Sequence, residues 1–293
     1  MTQPPQLFDR RLLRRLKRRW APRMAGVAYL LDYATVDLAE RLSLMHRRFA
    51  LGLDLGAHGN ALSLGLLQTD KVGAMLRAPL VAELAAPSDG AVFVCDEEVL
   101  PLASQSLDLI VSALSLHLVN DLPGTLMQIR RALKPDGLFL AAMLGGRSLE
   151  QLRAAFAEAE IAQTGGLSPR VAPFADVRDL GQLLQRAGFA LPVADSEVLT
   201  VTYPSLLELM AELRCMGASN VLTDRRKIPL RRAVLRAAAE TYQRDFASAG
   251  GKVEATFDIV TLTGWAPHGS QQQPLRPGSA KASLAAAVSY PGT

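Results

Sequence analysis

The sequence predicts an α/β fold: a doubly wound, mainly parallel sheet with an antiparallel C-terminal edge strand. Three observations predict it. Apolar strand-like runs alternate with helix-like ones over residues 48–146, the signature of repeated βα units whose sheet is covered on both faces. Two late strand-like runs lack a helical crossover of the usual size and place, which suits antiparallel addition to the sheet. A basic helix precedes this region, and a helical insertion at about 205–247 separates the late strands.

The N-terminal segment QLFDRRLLRRLKRRWAPRM sets Phe8, Leu12, Leu13, Leu16 and Trp20 at helical spacing, with arginines on the other face and Pro22 as the expected stop. Eight Lys or Arg and no acid lie at 10–23, so the rest of the chain counts more acids than bases despite a net charge of +4. This uneven charge argues against reading the basic isoelectric point as a nucleic-acid signature. The helix either packs on its own domain with a solvated basic face or docks on a partner or anionic lipid, as a peripheral membrane contact. It also has the Arg-rich, acid-poor character of an organelle transit peptide.

The strand runs are 49–55, 72–77, 91–95, 107–112 and 137–143, with helical patterns at 61–68, 79–85 and 124–134 between them. Lys134-Pro135-Asp136-Gly137 reads as a turn ending the last of these helices. Two further helices follow, one carrying Leu149, Leu152, Phe156 and Ala159, the other Val177, Leu180, Leu184 and Ala187 with a stop at Gly188. Strands at 198–203 and 256–262 flank the insertion, and the tail from Pro267 reads as loop. The resulting division is a basic extension at 1–47, a main domain at 48–265 and a tail at 266–293. No apolar run reaches the roughly 18 residues of a membrane span. The two cysteines, Cys95 and Cys215, are too few for a disulfide framework and fit a reducing compartment.

In an open α/β sheet ligands gather at the carboxyl ends of the strands. There the sequence places Asp54 and 56–60 after the first strand, Arg77-Ala78-Pro79 after the second, Asp96-Glu97-Glu98 after the third, 112–121 after the fourth and Gly145-Gly146 after the fifth. The first loop lacks the G-x-G-x-x-G pattern, having Gly56, His58 and Ala61 at the three places. The absence of an acid after the second strand also weakens a nicotinamide-dinucleotide reading.

The stretches LDLG, CDEEVLPLASQSLDLIVSALSLH and LKPDGLFLAAM resemble class I S-adenosylmethionine-dependent methyltransferases. FDR near the start, SALSLHLVNDLPG, AAMLGGRSLEQLR, GGLSPRVAPFADVRDLGQLLQRAGF, LMAELRCMGASN and the ending GWAPHGSQQQPLRPGSA are together similar to the respiratory complex I assembly factor 5 family, over most of the chain. The first half is similar, more distantly, to malonyl-carrier-protein methyltransferases. This resemblance implies a methyltransferase fold, the cofactor S-adenosylmethionine, and a protein substrate, expected to be a complex I subunit. The expected setting is a bacterial cytoplasm, with the mitochondrial matrix as the alternative.

The resemblance further implies a cofactor site built from Asp54, Gly56, His58, Gly59, Asp96, Glu97 and Ser112, with His117 as a catalytic base or, equally, a packed helix residue. Asp54 would orient the loop or ligand amine, or cap a helix. Asp96 and Glu97 would meet the adenine amino group, or form a solvated turn. Tyr203 and Trp265 are expected in the core more than in the pocket. No metal site is expected. The family pattern is broken at two points. Of its glycines at 56, 58 and 60 only Gly56 remains, helped by Gly59; and Pro79 stands where an acid binds the ribose hydroxyls, with Glu83 a turn away as a substitute. Three activities stay open: methyl transfer to a protein, a non-catalytic assembly chaperone with a degenerate site, and hydroxylation of an arginine.

Overall fold

The computed structural model describes residues 6–85, 90–248, 250–272 and 279. Six strands form one sheet: β1 (Phe49–Leu55), β2 (Val72–Ala78), β3 (Leu107–Ala113), β4 (Leu133–Leu144), β5 (Ala190–Tyr203) and β6 (Val253–Trp265), in the order β2-β1-β3-β4-β6-β5. The first four run parallel, and β6 lies antiparallel between β4 and β5. Both late strands are longer than the apolar pattern alone suggested: β5 starts at Ala190 and β6 extends at both ends. Polar residues such as Asp195 and Glu197 on β5, and Thr261 and Thr263 on β6, pair through the backbone ladder and carry no hydropathy signal.

Side-chain alternation along the parallel strands builds two cores. Leu138, Leu140, Ala142 and Leu144 of β4 face one layer, with helices α2 (Tyr29–Ser43), α3 (Ala61–Leu67), α5 (Glu150–Thr164), α7 (Leu206–Cys215) and α8 (Arg232–Asp245). Phe139, Ala141 and Met143 face the other, against α4 (Leu122–Ala132) and α6 (Val177–Arg186). A third cluster joins the N-terminal helix α1 (Arg10–Met24) to the domain through Phe8, Leu13, Leu80, Val81, Leu84 and Leu222.

Several local expectations are corrected. The run at 91–95 forms no strand; it leaves a single parallel bridge, Arg77 with Val92, held by hydrogen bonds from Arg77 N to Ala91 O and from Phe93 N to Arg77 O. The expected helix at 79–85 is one 3₁₀ turn, Ala82–Leu84. Pro22 does not stop α1, which continues to Met24. Lys134-Pro135-Asp136-Gly137 is not a turn outside the sheet but the bulged first part of β4, where pairing with β3 jumps from Leu133 to Leu138 and Asp136 takes φ +61°. Helix α4 starts at Leu122, where Asp121 caps it by accepting from Gly124 N at 2.8 Å. His117 therefore belongs to a separate 3₁₀ turn, Leu116–Leu118. Most of the tail from Pro267 lies outside the described residues.

Candidate functional site

A cavity of about 500 Å³ opens at the carboxyl edge of the parallel strands. Its floor is the segment after β1 (His58, Gly59, Asn60, Ala61), the segment after β3 (Leu114, His117) and Leu144 of β4. Its walls come from α1, the start of α2, α5, the segment 170–174 and the segment after α7. The lining is mainly apolar, with a few converging polar groups, as small-molecule sites are.

The turn after β1 needs its glycine. Gly56 sits at φ +74°, its N donates to Ala78 O at 2.9 Å, and an added Cβ would lie 2.1 Å from Ser115 Oγ. Gly59, at φ +109°, borders open space, since nothing lies within 4 Å of a Cβ placed there. His58 is no outlying surface residue: it lines the cavity, with Nε2 3.2 Å from Leu114 O. Leu114 adopts φ +52°, rare for a branched residue, and this turns its carbonyl towards the imidazole. Burial and Lys17 hold the His58 pKa well below the ordinary value. The ring is thus neutral and donates from Nε2, leaving its buried Nδ1 without a partner.

Asp54 is almost fully buried, opposite Arg77 of β2. It accepts from Ser63 Oγ at 3.1 Å, so its partner is a side chain of α3 and not a run of helix amides. Burial raises its pKa to about 7, against the opposing pull of Ser63 and Arg77. With His58, Gly59 and Ala61 it borders a narrow recess beside the main cavity. Ser112, on the inner part of β3, is completely buried with its Oγ unpartnered and lines neither space.

The acids after the third strand-like run are engaged by α1. Arg10 bonds Asp96 Oδ1 at 2.5 Å, Glu97 Oε2 and Leu118 O, while Arg14 bonds Asp96 Oδ2. Glu97 is 2% exposed and also accepts from Ser115 Oγ at 2.5 Å. Glu98 accepts from Asn120 N at 2.6 Å. Far from a solvated turn, this is a charge network tying α1 to the loops after β3. Pro79 is buried where a ribose acid would stand, and its carbonyl accepts from Cys95 N at 3.1 Å. Glu83 is exposed and pairs with Arg18 at 3.7 Å, at the rim of the cavity.

His117 reaches the cavity from its 3₁₀ turn, its ring edge-to-face with Phe174 at 5.6 Å between centroids. Burial, reinforced by Lys17, drops its pKa to about 3, and its buried Nδ1 has no partner. Gly145 is closed to a ligand, because a Cβ there would meet Asp258 Oδ2 at 2.6 Å. Tyr203 is buried against Tyr29 and Glu212 and, like Trp265, does not line the cavity. Sequence reading missed Arg10 and Lys17. The signal for Lys17 was present: it stands four residues after Leu13, on the apolar stripe of an otherwise basic-outward helix.

Sheet order, glycine turn and cavity at the carboxyl edge define a protein of the methyltransferase fold. The profile of a methyltransferase domain matches residues 53–141. The YcgJ protein of Bacillus subtilis has the same fold, with TM-score 0.55 at 14% identity over 79% of this chain and 98% of that one. Within that fold the chain belongs to the NDUFAF5 family: it is 40% identical over 287 residues to the human arginine-hydroxylase NDUFAF5, mitochondrial, covering 95% of this chain and 82% of the relative. It is also 32% identical over 283 residues to the malonyl-[acyl-carrier protein] O-methyltransferase of Halorhodospira halophila, covering 92% of each. Relatives with one fold thus carry names for two chemistries.

The residues present fit S-adenosylmethionine unevenly. Gly59 beside open space, the unpartnered His58 Nδ1 and a cavity of suitable size fit its amino-acid end. The acid expected at the ribose end is replaced by Pro79, and Asp96 and Glu97, expected at the adenine end, are bound by Arg10 and do not line the cavity.

Proposed function

We propose that this chain binds S-adenosylmethionine weakly and modifies a protein side chain, on a complex I subunit, during assembly of that complex. The observation that carries the reading is the cavity itself, bounded on one side by the turn after β1 and on the other by His117 after β3. The cofactor would supply an electrophilic methyl group; the chain's own residues supply binding and orientation. Backbone at 58–60 would hold the amino-acid end, and His117, neutral in its buried turn, would accept a hydrogen bond from the acceptor group; Asp96 and Glu97, bound by Arg10 and outside the cavity lining, would act only by fixing α1 as its wall. His117 becomes a proton acceptor only when a bound acceptor raises its pKa towards neutrality. We place this work in a bacterial cytoplasm, or in a matrix as for the relatives named mitochondrial; among the described residues no helix is long and apolar enough to cross a membrane.

A second reading, arginine hydroxylation, is favoured by the human relative, which is named an arginine-hydroxylase. Asp32 and Glu83 at the cavity rim would suit a guanidinium acceptor, with an oxidant supplied from outside the chain. A third, an assembly chaperone without catalysis, is favoured by Pro79 and by the engagement of Asp96 and Glu97 with Arg10. Mass spectrometry of complex I subunits from cells with and without the protein separates them. Loss of one methylene from a subunit supports methyl transfer, loss of one oxygen supports hydroxylation, and an assembly defect with unchanged masses supports the chaperone.

A further inference from the structure

The cavity contains a charged group for which the proposed reaction has no use. Lys17 belongs to α1 yet points inward, with 7% of its surface exposed, and it lines the cavity wall. Its one hydrogen bond among the described residues is a long one, Nζ to Met216 O at 3.5 Å. Glu97, the nearest acid by its electrostatic influence, already spends Oε2 on Arg10 and Oε1 on Ser115. Arg10, His58 and His117 are the other titratable groups acting on it or responding to it, and none is an anion. A buried ammonium without a carboxylate partner is costly and is kept where a ligand completes it. Beside it stand two imidazole Nδ1 atoms, of His58 and His117, buried and unpartnered.

We infer that Lys17 is a carboxylate subsite: its ammonium holds a carboxylate of the ligand seated in the cavity. The carboxylate belongs either to the amino-acid end of the cofactor or to the acceptor; the recognition chemistry is the same. The charge is deep, the surrounding lining is mainly apolar, and Glu97, the acid that acts on it, is already paired, so an anion entering here exchanges a single weak carbonyl contact for a charge-assisted bond. The first alternative rests on the cofactor reading above and the second does not.

Calorimetric titration of the full chain tests this with four probes: S-adenosylhomocysteine, 5′-methylthioadenosine, which lacks the amino-acid end, hexanoate and hexanamide. Lys17→Met should weaken one of the two carboxylate probes about tenfold to a hundredfold, leave the matching neutral probe unchanged, and melt at a higher temperature than the native chain. Lys17→Arg should recover most of the affinity. Selective loss for S-adenosylhomocysteine assigns the carboxylate to the cofactor; selective loss for hexanoate assigns it to the acceptor, even if the native chain ignores S-adenosylhomocysteine and the cofactor reading fails. Equal affinity of native and Lys17→Met proteins for both carboxylate probes, or no binding of either by the native chain, overturns the subsite.

Discussion

At the scale of single residues, two buried groups pull stability in opposite directions with pH. Asp54, raised to about 7 from 3.8, keeps its proton in the folded state while the unfolded chain releases it, so its contribution to stability falls as pH rises between those values. His117, lowered to about 3 from 6.5, refuses a proton that the unfolded chain accepts, so its contribution falls as pH drops through that window. Each is worth on the order of 1.4 kcal/mol per pH unit at full effect. Urea midpoints measured from acid to neutral pH should therefore gain a more positive slope in Asp54→Asn and a more negative one in His117→Gln. Unchanged slopes would mean that neither group is shielded as the structure has it. Pro79 offers a second test: Pro79→Asp should tighten S-adenosylhomocysteine roughly tenfold to a hundredfold, the worth of one charge-assisted hydrogen bond. If affinity stays constant, the ribose does not lie beside this residue.

Among the elements, α1 departs most from its sequence character. Its arginine-rich pattern suggests an extension, yet Phe8 and Leu13 are buried and Arg10 reaches into the charge network at Glu97. Removing one partner of a buried pair leaves an uncompensated charge, at a cost of about 3–5 kcal/mol. Arg10→Met should lose that much stability in chemical denaturation, and Arg10→Met with Glu97→Gln should regain most of it. A loss below about 1 kcal/mol would mark the pair as a surface-like contact. The segment 91–95 illustrates the reverse case. Its apolar run suggests a strand, but beyond the Val92 bridge its hydrogen bonds go to Pro79 O and to the loops around Asp96, so the acids end beside α1 rather than along a sheet edge.

For the whole molecule, charge is partitioned between a buried and an open face of one helix. Arg11, Arg15, Arg19 and Arg23 remain on the outer side, with Arg19 and Arg23 each 5.4 Å from the Trp20 ring centroid. If α1 makes a peripheral membrane contact, this face provides it. Changing these four residues to Glu should abolish sedimentation with anionic vesicles at low salt while leaving the melting temperature within a few degrees; retained sedimentation would remove the membrane proposal. Ligand linkage gives an independent check on the cavity. S-adenosylhomocysteine at 100 times its dissociation constant should stabilise the native chain by about 2.7 kcal/mol, read from the shift in denaturation midpoint.

The sequence by itself located β1 to β4 and the helices α3 and α4 of the parallel half, because buried strands and amphipathic helices write their burial directly into apolar spacing, but the same spacing also suggested a strand at 91–95 and a helix at 79–85 that do not form. It also located the turn after β1, where Gly56 alone can hold positive φ against Ser115. It left Asp54, Asp96, Glu97 and His117 each with two readings, since a polar side chain looks the same in sequence whether it meets solvent, a ligand or a distant partner. Only the tertiary structure shows what these side chains and His58 touch within the chain: Ser63 for Asp54, Arg10 for Asp96 and Glu97, Leu114 O for His58 and Phe174 for His117. Arg10 and Glu97 are 87 residues apart, and Lys17 reaches Met216 O across 199. Such pairings arise from how α1 packs over the sheet, a long-range event that local periodicity does not encode, and they turn a basic extension into one wall of the cavity.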